Sequence, residues 1–318
     1  MSASRLLEPL RTQMRDARHW ELTCRLLDWS LQHLKREEPS ALARRAYVAS
    51  TFDTYCGAPG ASLEEHLLGA SFLVAFFTAD DGPDEALKSF LATADAAPSA
   101  PTELRTCHDA WLEGMGQTGQ DLRGPRAAFR TLCEWMLVER RVDPSTVTEA
   151  QYRELRQYTI AVPLYVGCWK ALRALRPSER ADEALRRSGL LELTTELVYL
   201  ANDLGSLERD EEAARRQQPD AELNLVILRT RVLGSRQEAI RQVLAQYHER
   251  LQDFRRRRAE LADTEHWRER AVRDSVEHQR AVVNGNVATT LHLMALRYPG
   301  ALGLLKGLPE LEPLPSPD

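Results

Sequence analysis

The sequence predicts an all-α protein, and three observations support that prediction. Residues with high helix propensity, namely Leu, Ala, Arg and Glu, fill nearly every segment of the 318 residues. β-Branched residues in the alternating pattern of a strand are rare. Short Gly- and Pro-containing breaks divide the chain into pieces of helix length, which suits antiparallel neighbours in one helical bundle.

Gly and Pro interrupt a helical pattern, so they mark where the predicted helices end. Such breaks fall at 57–60, 97–101, 119–125, 142–145 and 177–178. The stretch 235–284 is too polar to be buried on all sides, and a break near 261–265 is expected to divide it in two. With neither a long linker nor a repeat, residues 1–307 are predicted to form one domain. Residues 308–318, with four prolines in eleven positions, are predicted to form a flexible tail.

Composition excludes several classes of partner. The formal net charge of −5 gives no overall attraction to nucleic acid or to an anionic membrane. The basic run Arg255 to Arg258 lies among Glu and Gln, and it is interpreted as a solvated helix face. No apolar run reaches the ~18 residues that a membrane span needs, and the N-terminus lacks a signal-peptide pattern. We therefore expect a cytoplasmic protein without a membrane anchor.

Several site chemistries are also disfavoured. The five cysteines are scattered and include no CxxC pair, which argues against a disulfide framework and against a zinc site. No HExxH, no GxSxG and no Gly-rich phosphate loop occurs in the sequence. Nucleophilic hydrolysis and P-loop chemistry are therefore not expected.

A candidate metal site follows the largely apolar run 191–201. Asn202, Ser206 and Asp210 recur every four residues, so on a helix they share one face. An amide oxygen, a hydroxyl and a carboxylate are hard oxygen ligands, the type that Mg²⁺ or Mn²⁺ prefers. Glu211 is the alternative to Asp210, although it points about 100° further around the helix.

A second acidic cluster lies upstream, at the end of the apolar run 67–77. Asp80 and Asp81 precede a Gly-Pro pair that is expected to end the helix, and Asp84 follows it, with Glu85 as the alternative ligand. Two acidic clusters that face each other would form a cup for several divalent ions.

In this order the two motifs resemble those of a bacterial class I terpene synthase. That family has DDxxD or DDxxxE after a pair of phenylalanines, as in 76–85 here, and NDxxSxxxE as its second motif. Arg156 lies 46 residues before Asn202, close to where the family places its diphosphate-sensing arginine. Arg297-Tyr298 resembles the family's terminal RY pair.

Other features support or qualify the resemblance. Segments 222–226 and 284–286 resemble accompanying family segments. Asp210 stands where glutamate is usual, and its arm is shorter by about one bond length. Residues 287–296 lack the tryptophan that many relatives carry before the RY pair. The lining of the pocket, and with it the product, is left open.

The resemblance implies a single-domain helical bundle with a central active-site cavity. It also implies ionisation of a linear prenyl diphosphate and cyclisation of the carbocation to a terpene hydrocarbon or alcohol. About three Mg²⁺ ions, replaceable by Mn²⁺, would bind the diphosphate. Their implied ligands are Asp80, Asp81, Asp84, Asn202, Ser206 and Asp210. The implied diphosphate donors are Arg156, Arg209, Arg297 and the hydroxyl of Tyr298.

The wall of the pocket is predicted from a break and from aromatic residues. Pro163 should interrupt the helix that carries Arg156, and by resemblance a main-chain carbonyl near Ile160 would face the allyl cation. Aromatic faces stabilise a carbocation without trapping it. The candidates are Phe52, Tyr55, Phe76, Phe77, Trp169 and Tyr199. Each one alone is more often an ordinary core residue.

Two other functions stay open at this stage. A chain-elongating prenyltransferase would carry a second aspartate-rich motif, and Asn202 and Ser206 stand against it. A catalytically idle isoprenoid-binding protein is supported only by Asp210. Among substrates farnesyl diphosphate is favoured and geranylgeranyl diphosphate is the alternative; a homodimer is compatible with such a chain.

Overall fold

The computed structural model describes residues 3–92, 102–119, 121–216 and 223–312. Every regular element in those ranges is helical, so the all-α prediction is confirmed. The chain groups into two compact units, Met1–Leu137 with Gly167–Ala174, and Val138–Val166 with Leu175–Asp318. Across the described ranges no helix is both long and apolar enough to span a membrane.

Helix α4 is the core helix of the first unit. The helices of this unit are α1 (Ala3–Leu7), α2 (Ala17–His33), α3 (Pro39–Cys56), α4 (Leu63–Asp80), α5 (Asp84–Ala92), α6 (Glu103–Gly116) and most of α7 (Arg123–Glu139), with a 3₁₀ helix at Glu8–Gln13. Apart from Phe76, α4 is buried from Gly69 to Ala79, and it packs against α2, α3 and α6. A helix that is apolar on all sides belongs in the interior.

Local sequence explains where α4 begins and ends. Ser62 caps its first turn in a capping box with Glu65, whose backbone N–H donates to the Ser62 side chain. The helix ends at Asp80, and its cap Asp81 is followed by the Gly-Pro pair that was predicted to end it. The acidic cluster therefore lies at the C-terminal end of a buried helix.

Helix α11 is the central helix of the second unit. The helices here are α8 (Glu149–Thr159), α9 (Val162–Leu172, whose later part belongs to the first unit), α10 (Glu179–Ser188), α11 (Leu190–Arg215), α12 (Leu225–Leu233), α13 (Arg236–Ala262), α14 (Arg270–His292) and α15 (Ala301–Leu305), with a 3₁₀ helix at Glu265–Arg268. Helix α11 packs against α12, α13, α14 and α15. Gly205 permits the close approach of α14, since a Cβ atom there would lie 2.4 Å from the Thr290 Cγ2 atom.

Most predicted breaks are confirmed. Those at 57–60, 142–145 and 177–178 lie between helices, and α13 ends at Ala262, within the break predicted near 261–265. The break predicted at 119–125 ends earlier, because α7 begins at Arg123 and takes Pro125 into its first turn, where a missing N–H costs nothing. The break predicted at 97–101 lies outside the described residues, apart from its neighbour Thr102, which caps α6.

The predicted flexible tail is anchored over its first part, residues 308–312, which we call the C-terminal strap. Leu311 is buried, and its backbone N–H and C=O each bond to the side-chain amide of Asn284 at 2.9 Å. Arg255 donates to the Glu310 carbonyl at 2.8 Å, and Arg258 donates to the Glu312 carbonyl at 2.7 Å. The later tail, 313–318, lies outside the described residues.

The basic run is therefore not simply a solvated face. Arg255 and Arg258 hold the C-terminal strap, and Arg257 donates to the carbonyl of Ser188 at the end of α10 at 3.1 Å. Only Arg256 is exposed. The residues that flank the basic run in the sequence do not indicate these contacts, because the bonding partners lie 54 to 69 residues away along the chain.

Candidate active site

The aspartate-rich motif lies in the first unit, around the junction of α4 and α5. Asp80 is half-buried, Asp81 is exposed and caps α4, and Asp84 opens α5. Lys88 Nζ lies 3.9 Å from Asp84 Oδ2 and 3.4 Å from Glu85 Oε1. The Asp84 side chain is 33% exposed and that of Glu85 is 81% exposed, which favours Asp84 as the ligand.

The second motif lies in the second unit, on α11. Ser206 and Asp210 are buried and Asn202 is half-buried. The Ser206 hydroxyl donates to Asp210 Oδ2 at 2.6 Å, so two of the predicted metal ligands are in direct contact. Glu211 instead accepts bonds from Arg236 at 2.6 and 3.1 Å. This pairing favours Asp210 over Glu211 as the third ligand.

Asn224 supports this ligand set, and the residue-by-residue prediction missed that role. Its side-chain amide donates to Asp210 Oδ2 at 2.9 Å and to the Asp203 carbonyl at 2.8 Å. Its side-chain oxygen accepts from the Val226 N–H at 2.9 Å, which caps α12. One buried side chain thus fixes both the start of α12 and the orientation of Asp210.

Asp203 is a second residue that the prediction left without a role. Its carboxylate accepts bonds from the Tyr152 hydroxyl, from the Leu225 N–H at 2.7 Å and from Arg156 Nη2 at 3.4 Å. Burial raises the pKa of Asp203 to about 7, while Arg156, Tyr152 and the Leu225 N–H act in the opposite direction. The only sequence signal was its position inside the motif, next to Asn202.

Arg209 links the second motif to Tyr298 of the RY pair. Arg209 Nε donates to Asp210 Oδ1 at 3.0 Å. The Arg209 guanidinium carbon also lies 5.8 Å from the centroid of the Tyr298 ring, within range of a cation–π contact. Tyr298 is buried and Arg297, which precedes it, is half-buried. The fold therefore brings Arg209, Asp210 and Tyr298 together from positions 88 residues apart.

The predicted break downstream of Arg156 is present. Helix α8 ends at Thr159, Ile160 is its cap, and α9 begins at Val162. Ala161 links the two helices with φ of 58°, a left-handed conformation that costs an L-residue about 1–2 kcal/mol. Strain of this kind is commonly held at functional sites.

Four of the six predicted pocket aromatics lie in the first unit with other aromatic side chains beside them. In the first unit the ring centroid of Phe77 lies 5.8 Å from that of Phe52 and 5.2 Å from that of Phe76. Trp169, in the same unit, is fully buried against His66, with centroids 5.3 Å apart.

The other two aromatics already have aromatic or cationic partners. The Arg15 guanidinium lies 5.1 Å from the centre of the Tyr55 ring in the first unit. In the second unit Tyr199 packs edge-on against Tyr152 at 5.8 Å. For all six candidates, contact with a substrate stays a prediction.

The donor set on α11 fits a divalent metal ion. Asn202, Ser206 and Asp210 offer an amide oxygen, a hydroxyl oxygen and a carboxylate at i, i+4 and i+8 of one observed helix. No three His, Cys, Asp or Glu side chains are grouped for a metal in the part of the chain that the structure describes. The mixed oxygen set on α11 suits Mg²⁺.

The fold and this site fit the class of all-α enzymes that bind a metal ion and an anionic substrate at one helix face. The family model described as terpene synthase family 2, C-terminal metal binding, matches residues 72–253, which is more than half of the chain. The chain therefore belongs to the class I terpene synthases, lyases that act on prenyl diphosphates. No curated protein sequence matches the chain significantly.

Solved structures give the same fold. Linalool/nerolidol synthase from Streptomyces clavuligerus, in complex with 2-fluorogeranyl diphosphate, has a TM-score of 0.70 at 19% identity and covers 87% of this chain and 99% of its own. Germacradien-4-ol synthase from Streptomyces citricolor has a TM-score of 0.68 at 17% identity, covering 88% and 95%. A variant of cucumene synthase has a TM-score of 0.67 at 18% identity, covering 87% and 96%.

Proposed function

We propose that the chain is a Mg²⁺-dependent terpene cyclase whose preferred substrate is farnesyl diphosphate. The observation that carries the proposal is one cluster on α11. There, the predicted metal ligands Ser206 and Asp210 are in contact, and Arg209 joins Asp210 to Tyr298 of the RY pair. If these residues have the predicted roles, ligands for a cation and donors for an anion would lie side by side, as a metal–diphosphate complex requires.

The residues of the second unit would bind the diphosphate head. The guanidinium groups of Arg156, Arg209 and Arg297 and the hydroxyl of Tyr298 would donate to its oxygens. In this unit Asn202, Ser206 and Asp210 would hold a metal ion. In the first unit, Asp80, Asp81 and Asp84 stay predicted metal ligands. Bound Mg²⁺ would offset the negative charge that develops on the departing diphosphate.

Loss of diphosphate leaves an allylic cation, which must be shielded from water. Phe52, Phe76 and Phe77, already in one cluster, would supply aromatic faces to the cation. By the resemblance, the carbonyl of Ile160, at the break between α8 and α9, would face the cation. Deprotonation or capture of water would then end the reaction as a hydrocarbon or an alcohol.

The names of the similar structures support a prenyl diphosphate substrate. The linalool/nerolidol synthase was crystallised with 2-fluorogeranyl diphosphate, an analogue of a linear prenyl diphosphate. Because the identity is 19% or lower in these structures, they do not distinguish chain lengths. We favour farnesyl diphosphate over geranylgeranyl diphosphate from the sequence resemblance alone.

The test is incubation of the purified protein with Mg²⁺ and, separately, geranyl, farnesyl and geranylgeranyl diphosphates. Products are extracted into pentane and identified by gas chromatography with mass spectrometry. A terpene formed from farnesyl diphosphate, and lost on addition of EDTA, is the expected result. Longer diphosphates formed after addition of isopentenyl diphosphate would support chain elongation instead, and no product from any substrate would refute the proposal.

Two variants of adjacent carboxylates serve as a matched pair. Asp210→Asn removes charge from the ligand set and is expected to lower product formation at least about tenfold, the loss expected for one charge-assisted contact. Glu211→Gln changes a carboxylate that pairs with Arg236 and should retain activity within about twofold. The reverse order of effects would make Glu211 the ligand.

A further inference from the structure

Asp203 lies between the predicted metal ligands Asn202 and Ser206 in sequence, but its carboxylate is bonded to donors from other helices. Its side chain is 1% exposed, and no metal role was predicted for it. A carboxylate removed from water in this way needs several donors to offset the loss of hydration. The identity of those donors indicates what Asp203 does.

Three helices meet at the Asp203 carboxylate. Tyr152 and Arg156 lie four residues apart on α8, so they share one face and both donate to it. The N–H of Leu225, the first residue of α12, donates to Oδ2 at 2.7 Å. Since Asp203 itself belongs to α11, its carboxylate fixes α8 and α12 against the helix of the second motif.

The contact with Arg156 has a functional consequence. Arg156 is 6% exposed, and its guanidinium lies near two carboxylates, Asp203 through Nη2 at 3.4 Å and Glu139 through Nη1 at 3.8 Å. A guanidinium has five N–H donors in one rigid plane, so a bond to one edge fixes the direction in which the others point. The contact with Asp203 thereby fixes the orientation of the Arg156 guanidinium group.

We infer that Asp203 is a positioning residue: it orients the guanidinium of Arg156 for binding of the diphosphate group, and Tyr152 holds the carboxylate in place. The inference rests on the proposed function, because it concerns how the same site binds its substrate head group. Asp203 itself does not contact the substrate. The register between α8, which carries Arg156, and α11, which carries the metal ligands, is then fixed by one buried carboxylate.

The alternative is that the contact merely joins helices. A double-mutant cycle separates the two, because only a positioning role makes the effect of Asp203 on anion binding depend on Arg156. Binding of inorganic pyrophosphate in the presence of Mg²⁺ is measured by isothermal titration calorimetry. The proteins are the wild type, Asp203→Asn, Arg156→Gln and the double variant.

The expected loss of affinity is about tenfold in Asp203→Asn and about tenfold or more in Arg156→Gln, the range of one charge-assisted hydrogen bond. The double variant should bind no worse than Arg156→Gln alone, within about twofold. Losses that multiply in the double variant, or an Asp203→Asn variant that binds like the wild type, would overturn the inference.

A second variant, Tyr152→Phe, tests the inference if Asp203→Asn does not fold. Tyr152→Phe removes one hydroxyl and leaves both charges, so it enters the same cycle with Arg156→Gln and should weaken binding only when Arg156 is present. Glu149→Gln is the matched control, since it removes a carboxylate of α8 that is paired with Arg229 and Arg153. Its affinity for pyrophosphate should stay within about twofold of the wild type, as for a partly exposed ion pair.

The wild-type titration distinguishes the two levels of the proposal. If the wild type binds no pyrophosphate with Mg²⁺, the proposed function fails and the inference fails with it. If the wild type binds and the cycle is additive, only the positioning role of Asp203 fails.

Discussion

Replacing Asn224 by alanine should cost far more stability than loss of an ordinary helix cap. Asn224 caps α12 through its side-chain oxygen, and loss of a cap costs about 1 kcal/mol. Its amide also donates to the buried carboxylate of Asp210, and loss of a bond to a charged group costs about 1.5–3 kcal/mol. Together the free energy of unfolding should fall by roughly 2.5–4 kcal/mol, with the spread set by how far Asp210 can relax.

Ser235→Ala supplies the matched control in the same unit. Ser235 caps α13 by accepting from the Glu238 N–H at 3.3 Å. Its loss should therefore cost only about 1 kcal/mol. Urea unfolding followed by circular dichroism measures both variants, and equal losses for Asn224→Ala and Ser235→Ala would refute the reasoning.

Asn224→Asp separates the two roles of the side chain. Aspartate still caps α12 but no longer donates to Asp210, and it brings a second negative charge to that carboxylate. We expect it to be at least as unstable as Asn224→Ala at pH 7, although it retains the cap. A stability close to that of the wild type would show that the bond to Asp210 contributes little.

Three further outcomes follow from other contacts. Gly205→Ala should destabilise the protein by about 1–3 kcal/mol, because the Cβ atom of the alanine would clash with Thr290. A higher midpoint of thermal unfolding in this variant would contradict the prediction. Asn284→Ala removes both of its bonds to Leu311 of the C-terminal strap and should lower the free energy of unfolding by about 1–3 kcal/mol. Proteolysis at the C-terminus should then be faster, and an unchanged cleavage rate would argue against anchoring of the strap. The hydrogen bond from Arg229 lowers the pKa of Glu149 to about 2, below its unfolded value of 4.5. Its stabilisation, about 1 kcal/mol for this partly exposed pair, is present above pH 4.5 and is lost toward pH 2, so the stability gap between the wild type and Glu149→Gln should close over that interval.

Local chemistry made the helices and their ends predictable. The Gly-Pro pair ended α4 at Asp80, and Pro163 separated α8 from α9, because both effects act on the backbone within a few residues. The first turn of α7 was harder to predict, since proline is tolerated at the start of a helix as well as between helices.

The placement of candidate site residues was predictable where they share a helix period, and not where they meet across the chain, while their role in binding stays a prediction. Asn202, Ser206 and Asp210 could be read from their spacing alone. The bond from Tyr152 to Asp203 joins residues 51 positions apart, and a spacing of that kind carries no periodic signal.

The same limit applies to the C-terminal strap. Its prolines suggested a loose tail, but Leu311 is buried and the strap is bonded to residues of α13 and α14. Those surfaces are a property of the packed unit, and a local reading of residues 308–312 does not contain them.

The contacts of the C-terminal strap with α13 and α14 form late in synthesis, because the strap follows both helices in the chain. Residues 308–312 leave the ribosome after α13 and α14, which they fasten through Arg255 and Asn284. Domains begin to fold from the N-terminus as the chain emerges, so α13 and α14 can pack against α11 before these contacts form. A chain truncated before residue 308 would lack the bonds that Arg255, Arg258 and Asn284 make to the strap, and we expect proteases to cleave it faster than the full chain.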